Sequence, residues 1–345
     1  MAIFPDLKSD LLGPDAALQQ ALDNALAAAP QGLSSVPLGI VALNDSAPHG
    51  FAGHLESEIH FSASLLKATS MWASFELLRA ANELVAEKQP QPADVIPLLH
   101  SEFDDIINDI RVTQLTGVNL TGFILPRWDK IFAVQADSTV TFSTNFQTNL
   151  TGSVADGDDV ATGVVVHGVG FGYLTEGAAT AGFFDETATD TPETADGMWL
   201  CGDYANGFPP QRIPCVNDTP TAQGTSVRQM ARLFTFLAGD APLVDGPSDD
   251  AMLDLLTKAV QRGHTFLDRD PTVQFSMLQS KIGLGSVHTG TPSQQAVASE
   301  AAIVRENSTG SRFVLVFQNR PFANNASIKP VSQVFDAAIA AFLFP

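Results

Sequence analysis

The sequence predicts a mixed α/β (α+β) protein in which antiparallel strands from both ends of the chain form one sheet, flanked by helices, around an inserted helical region. Three observations lead there. Short apolar runs bounded by turn residues occur near residues 36–57 and again near 274–320. The stretch "IHFSASLLKATSMWASFELLRAANELV", Ile59 to Val85, opens the intervening region with apolar residues at helical spacing. The chain begins and ends in segments that read as helices, the first amphipathic, the last within "PVSQVFDAAIAAFLF".

In chain order, the first 32 residues predict a short amphipathic helix packing on the sheet. "VPLGIVALND", the turn "NDSAPHG" and "FAGHLES" then form a hairpin. Leu65, Leu66, Thr69, Met71, Trp72, Phe75, Leu77, Leu78 and Leu84 mark a buried central helix. Residues 88–160 read as irregular and mostly helical, with a short helix "DDIINDIRVTQL" and a long exposed loop across "ADSTVTFSTNFQTNLTGS". "TSVRQMARLFTFLAGD" and "SDDAMLDLLTKAV" predict a helical pair, each opened by a Ser or Thr cap. "QFSMLQSKIGLG", "QAVASEAAIVREN" and "RFVLVFQNR" are three strands, with the turn "STGS" before the last. The organisation is therefore a sheet region of residues 33–60 plus 275–345, a helical region of residues 61–274, and the N-terminal helix of residues 1–32.

With 345 residues, 45% hydrophobic content and a mean hydropathy of +0.10, the chain can bury a large core. Its 38 acidic against 18 basic residues, a formal charge of -20, exclude the electrostatics of nucleic-acid binding and disfavour an anionic membrane. No run of about 18 uncharged apolar residues predicts a membrane span. The N-terminus has no signal-peptide pattern, which leaves open a cytoplasmic protein or a secreted one with its signal removed. Cys201 and Cys215, the two cysteines, are spaced to form either a short bridged loop or two reduced thiols. The histidines show no metal-ligand spacing, so neither metal nor cofactor is expected. His167 is the one histidine worth watching, with a core role favoured. "VVVHGVGFGYL" imitates a dinucleotide-binding turn through Gly168, Gly170 and Gly172, but the third glycine comes one residue early, and a glycine-rich core helix is the better reading.

The candidate chemistry begins at Ser64-Leu65-Leu66-Lys67. Residues three apart on a helix share a face, so the Lys67 amine can approach the Ser64 hydroxyl. Serine is a weak nucleophile until a base takes its proton, and an amine serves only when burial or nearby cations depress its pKa. "SKIGLG" places Lys281-Ile282-Gly283 on the first strand after the helical region, and Gly157-Asp158-Asp159 precedes Val160-Ala161-Thr162 at a helix start.

These motifs and the order of elements, across roughly residues 33–343, resemble the serine β-lactamase and penicillin-binding protein family, whose motifs are S-x-x-K, S-D-N and K-T-G. The resemblance implies the β-lactamase/transpeptidase-like fold. It implies Ser64 as nucleophile, Lys67 as base, Lys281 as electrostatic support, and an oxyanion hole from the Ser64 and Leu284 N–H groups. Asp159, Ile282 and Gly283 fall at substrate-binding positions. The chain departs from the pattern where Gly157 replaces the serine that relays a proton to the leaving group, Asp159 replaces the asparagine, and Ile282 replaces a hydroxyl that helps hold a carboxylate. Glu193, in "PETAD", stands near the place of the carboxylate that activates the deacylating water, without the leucine and asparagine of that run. Two functions follow. One is a serine hydrolase or acyl-transfer enzyme for a small ester, thioester or amide, poor against β-lactams and favouring neutral or cationic substrates. The other is a protein of this fold that has lost hydrolysis and binds a small molecule or serves a non-hydrolytic biosynthetic step. Oligomeric state is not legible.

Overall fold

The computed structural model describes residues 3–4, 7, 11–29, 32–108, 123–184, 196–202, 204, 211–239, 242–288 and 295–345. Its main sheet has six strands in the order β1 (Leu12–Pro14), β3 (His49–His54), β2 (Leu38–Ala42), β11 (Arg312–Pro321), β10 (Gln295–Glu306) and β9 (Phe275–Val287). All neighbours are antiparallel except β1, which runs parallel to β3. Both chain ends thus contribute to one sheet, as the sequence predicts, with the short β1 added at its edge.

The sheet is covered on both faces, which explains why β11 reads as the unbroken apolar run "FVLVF". Val314 and Val316 face one core, while Phe313, Leu315 and Phe317 face the other. The outer core is closed by Leu18 and Leu22 of α1 (Ala16–Ala28) and by Val331, Val334, Phe335, Ala338 and Ile339 of the C-terminal helix (Lys329–Leu343). Asp15 caps α1, its carboxylate accepting from the N–H groups of Ala17 and Leu18. Asn325–Leu343, which carries Lys329 and Asp336, nonetheless has the length and apolarity of a membrane span, at 19 residues and mean hydropathy 1.2. In this fold its apolar face closes the outer core.

The inner core is built from α2 (Lys67–Lys88), α3 (Val95–Asn108), α4 (Trp128–Ile131), α5 (Thr144–Ala155), α6 (Asp159–Val169), α7 (Phe171–Thr180), α8 (Val227–Ala238) and α9 (Gly246–Gln261), with α8 and α9 packed on the sheet. α2 is central, with every side chain from Lys67 to Leu77 buried. The region is not wholly helical. β4 (His60–Phe61), β8 (Gln223–Thr225) and β7 (Met198–Leu200) form a small sheet, and β5 (Phe132–Val134) pairs with β6 (Val140–Phe142).

The stretch read as a long exposed loop contains β6 and α5. Its apolar residues Phe146, Leu150 and Val154 recur every four positions and are buried, Ser143 caps the helix, and Thr148 and Thr151 return their hydroxyls to carbonyls one turn back. α3 starts nine residues before the predicted short helix, whose end lies outside the described residues. Ser226 caps α8, but Asp245 rather than Ser248 caps α9, its carboxylate accepting from the Ser248 N–H. The single helix expected at "VVVHGVGFGYL" is two, broken at Gly170, where φ is 86° and a Cβ would collide with the carbonyl of Ile124. His167 packs there between Phe123 and Phe171, at 4.6 and 5.9 Å between ring centres. Cys201 and Cys215 are both buried and unbridged, and burial pushes their thiols up to about 12 and about 11.

Candidate active site

Ser64 lies in a single 3₁₀ turn, Ala63–Leu66, that leads directly into α2. Ala63 has a φ of 49°, a left-handed conformation that a residue with a Cβ rarely holds unless its surroundings impose it. They do so here from four directions. The Phe61 N–H donates to Asn217 Oδ1 at 3.1 Å, and the Phe61 carbonyl accepts from Asn319 Nδ2 at 2.7 Å. Both the N–H and the hydroxyl of Ser62 donate to the Gln223 carbonyl, at 2.9 and 3.0 Å. The Tyr204 hydroxyl donates to the Ala63 carbonyl at 3.3 Å.

β9 supplies the opposite wall. A Cβ on Gly283 would lie 2.7 Å from the Ser62 carbonyl oxygen and 3.3 Å from the backbone nitrogens of Ser64 and Leu65, so only glycine lets the strand approach the turn this closely. Lys281, two residues back, projects from the same face of the strand. β9 is the edge of the described sheet, and the Leu284 side chain is 52% exposed there. Ile282 points to the other face and packs against the outer core, away from the Ser64 turn.

Lys67 is fully buried, and its Nζ donates to the Gly157 carbonyl and to Asp159 Oδ1, both at 2.6 Å. It also sits 5.1 Å from the centre of the Tyr204 ring. No hydrogen bond joins it to Ser64, whose hydroxyl has no partner among the described residues. Burial pulls the Lys67 ammonium below its ordinary value, and the Asp159 carboxylate pushes the other way. Lys281 is also fully buried, and its Nζ has no hydrogen-bond partner among the described residues. Burial, aided by the Lys67 charge and opposed by Asp159, pulls it down to about 7.

The loop bearing Gly157 and Asp159 is fixed on both sides. Asp158 caps α6, accepting from the Ala161 N–H at 2.9 Å, and Asp156 pairs with Arg262 just past α9. Gly157 has a φ of 70°, and a Cβ there would meet nothing within 4 Å. The Asp159 side chain is 56% exposed at the rim.

The structure therefore gathers Ser64, Lys67, Gly157, Asp159, Lys281 and Gly283, and turns Ile282 away. Glu193 lies outside the described residues. Sequence reasoning missed Tyr204, Asn217, Gln223 and Asn319. Tyr204 had one usable signal, being one of two tyrosines in the chain and set in a glycine-containing loop segment.

A serine turn at the foot of a buried helix, facing a glycine on the edge strand, with one lysine from the helix and one from the strand, is built on the β-lactamase/transpeptidase-like fold. A class A β-lactamase from Bacteroides cellulosilyticus superposes with a TM-score of 0.50 over 94% of this chain and 97% of its own, at 14% identity. A β-lactamase from Chitinophaga pinensis (TM-score 0.49, 11% identity, 93% and 99% covered) and a class A enzyme from Mycobacterium abscessus (0.49, 13%, 95% and 99%) are also similar. No family profile and no curated protein sequence matches the chain.

Proposed function

We propose that this protein is a serine hydrolase or acyl-transfer enzyme that forms an acyl intermediate on Ser64 from an ester, thioester or amide. The observation that carries this reading is the pinned Ser64 turn, with its strained Ala63, held against Gly283 beside two buried amines. A strained turn that fixes a half-buried serine hydroxyl in place is what a positioned nucleophile requires. Ser64 Oγ attacks the carbonyl carbon, the N–H groups of Ser64 and Leu284 hold the oxyanion, and the alkoxide, thiolate or amine departs. Water then attacks the acyl-serine, or a second acceptor does.

Gly157 offers no hydroxyl to protonate a poor leaving group, so esters and thioesters are favoured over amides. The Asp159 carboxylate at the rim and the net charge of -20 disfavour anionic substrates, so neutral or cationic esters bind better than carboxylated β-lactams. The test is an intact-mass measurement after exposure to a fluorophosphonate, with turnover of a short-chain p-nitrophenyl ester compared with a chromogenic cephalosporin. We expect a fluorophosphonate adduct that Ser64→Ala abolishes, and faster ester turnover. Faster cephalosporin turnover through Ser64 overturns the substrate assignment.

A second reading, a binding protein without hydrolysis, is favoured by the commitment of Lys67 to Gly157 and Asp159. The absence of any adduct on wild-type protein would select it.

A further inference from the structure

We propose that Lys281, not Lys67, takes the proton from Ser64 and returns it to the leaving group. This rests on Ser64 being the nucleophile. Four features of the site support it. Lys67 Nζ already donates to two oxygens at 2.6 Å, one of them a carboxylate, and lies over the Tyr204 ring; these contacts favour the charged ammonium and make no bond to Ser64. Lys281 Nζ makes no hydrogen bond among the described residues although it is fully buried, and an ammonium without partners in such a site is costly, which favours the neutral amine with its lone pair. Lys281 also projects from the face of β9 that meets Ser64 at Gly283, two residues or about 7 Å along the strand. Finally, Gly157 carries no side chain and its carbonyl accepts from Lys67, so position 157 supplies no hydroxyl to relay the proton.

The proton balance is complete. The Ser64 O–H bond breaks toward the Lys281 lone pair as the Oγ–C bond forms. Collapse of the tetrahedral species breaks the bond to the leaving group, which takes the proton from the Lys281 ammonium. In the second half, Lys281 accepts a proton from the attacking water, and Ser64 Oγ recovers it on release.

Lys67 from α2 and Asp159 from α6 act on Lys281, and His264, in the segment after α9, feels the Lys281 charge together with Asp156 at the end of α5 and its partner Arg262. They make the assignment testable by pH. The acid limb of kcat/KM for a neutral p-nitrophenyl ester is expected near pH 7, the value to which Lys281 is pulled. Lys67→Met removes a like charge, so the limb moves to higher pH while turnover falls by less than in Lys281→Arg. Asp159→Asn moves the limb to lower pH, and His264→Gln leaves it in place. Lys281→Arg, which keeps the charge but cannot act as base, loses about 10²- to 10⁴-fold in kcat/KM. The proposal is overturned if Lys67→Met abolishes turnover while Lys281→Arg retains it, or if the limb follows His264→Gln. Should Lys281→Arg fail to fold, the direction of the limb in Lys67→Met still decides, because loss of the base and a displaced base give opposite results. Failure of the serine reading is separate: turnover would then survive Ser64→Ala.

Discussion

Ala63 holds a conformation that costs on the order of 1–3 kcal/mol for a residue with a Cβ, and it is held by groups far away in sequence. Tyr204 reaches its carbonyl from 141 positions away, and Asn319 reaches the Phe61 carbonyl from 258. That distance explains what the sequence could show at this scale. Ser64 and Lys67 were legible because three-residue spacing is a local property of a helix, and Lys281 and Gly283 because a strand motif is local too. Tyr204 and Asn319 were not, since their partners are backbone carbonyls, which leave no mark on residue identity. Ile282 shows the opposite hazard: the motif placed it at the substrate, while the alternation of the strand turns it into the outer core. Gly283 gives the sharpest residue-level prediction. Gly283→Ala sets a methyl 2.7 Å from the Ser62 carbonyl, so strand and turn must separate. The fluorophosphonate labelling rate should fall at least about tenfold, with about 1–3 kcal/mol lost in urea unfolding. Labelling at the wild-type rate would show that the close approach is dispensable.

At the scale of elements, the strand next to the site carries a buried acid that the chemistry does not use. Glu300 of β10 accepts from the N–H groups of Phe266 and Leu267 at 3.0 and 2.9 Å and from the Ser280 hydroxyl at 2.6 Å, and so ties β9 and β10 to the segment after α9. Burial outweighs these bonds and pushes its carboxyl up to about 7. Between the ordinary glutamate value and pH 7 the folded protein therefore binds more protons than the unfolded chain, so stability falls as pH rises through that window. The loss is complete above it and amounts to at most about 3 kcal/mol. Glu300→Gln can keep the three bonds by donating to Ser280, without the charge. We expect it to unfold at a higher temperature than wild type at pH 8 and at nearly the same temperature at pH 4. An equal shift at both pH values would remove ionisation as the cause. The element least legible in sequence was α5, read as exposed loop because its exposed faces are threonine and asparagine, residues that also favour turns; the four-residue spacing of Phe146, Leu150 and Val154 was its one helical signal.

For the whole molecule, the charge of -20 predicts a field that attracts cations and repels anions at the site. Raising salt from low concentration to about 0.5 M should lower kcat/KM for a choline-type ester, raise it for a carboxylated ester of equal length, and leave a neutral ester nearly unchanged. Parallel changes for all three would mean that the field does not reach the site. The overall architecture was legible because the strands cluster near the two chain ends, and an antiparallel sheet across those ends satisfies both clusters at once. The two small sheets were not legible: strands of two or three residues carry too little pattern to distinguish them from loop.

The pairing of β2 with β11 and the closure of β9 over the Ser64 turn also set an order of events during synthesis. The serine leaves the ribosome roughly two hundred residues ahead of the glycine it must meet, which at about 5–20 residues per second is a wait on the order of ten to forty seconds. Throughout that interval α2 can form, but the wall, the second lysine and the clamp from Asn319 do not yet exist. The Ser64 turn is therefore incomplete on a growing chain and is fixed only when the last third arrives, so the proposed acylation of Ser64 has to await that third.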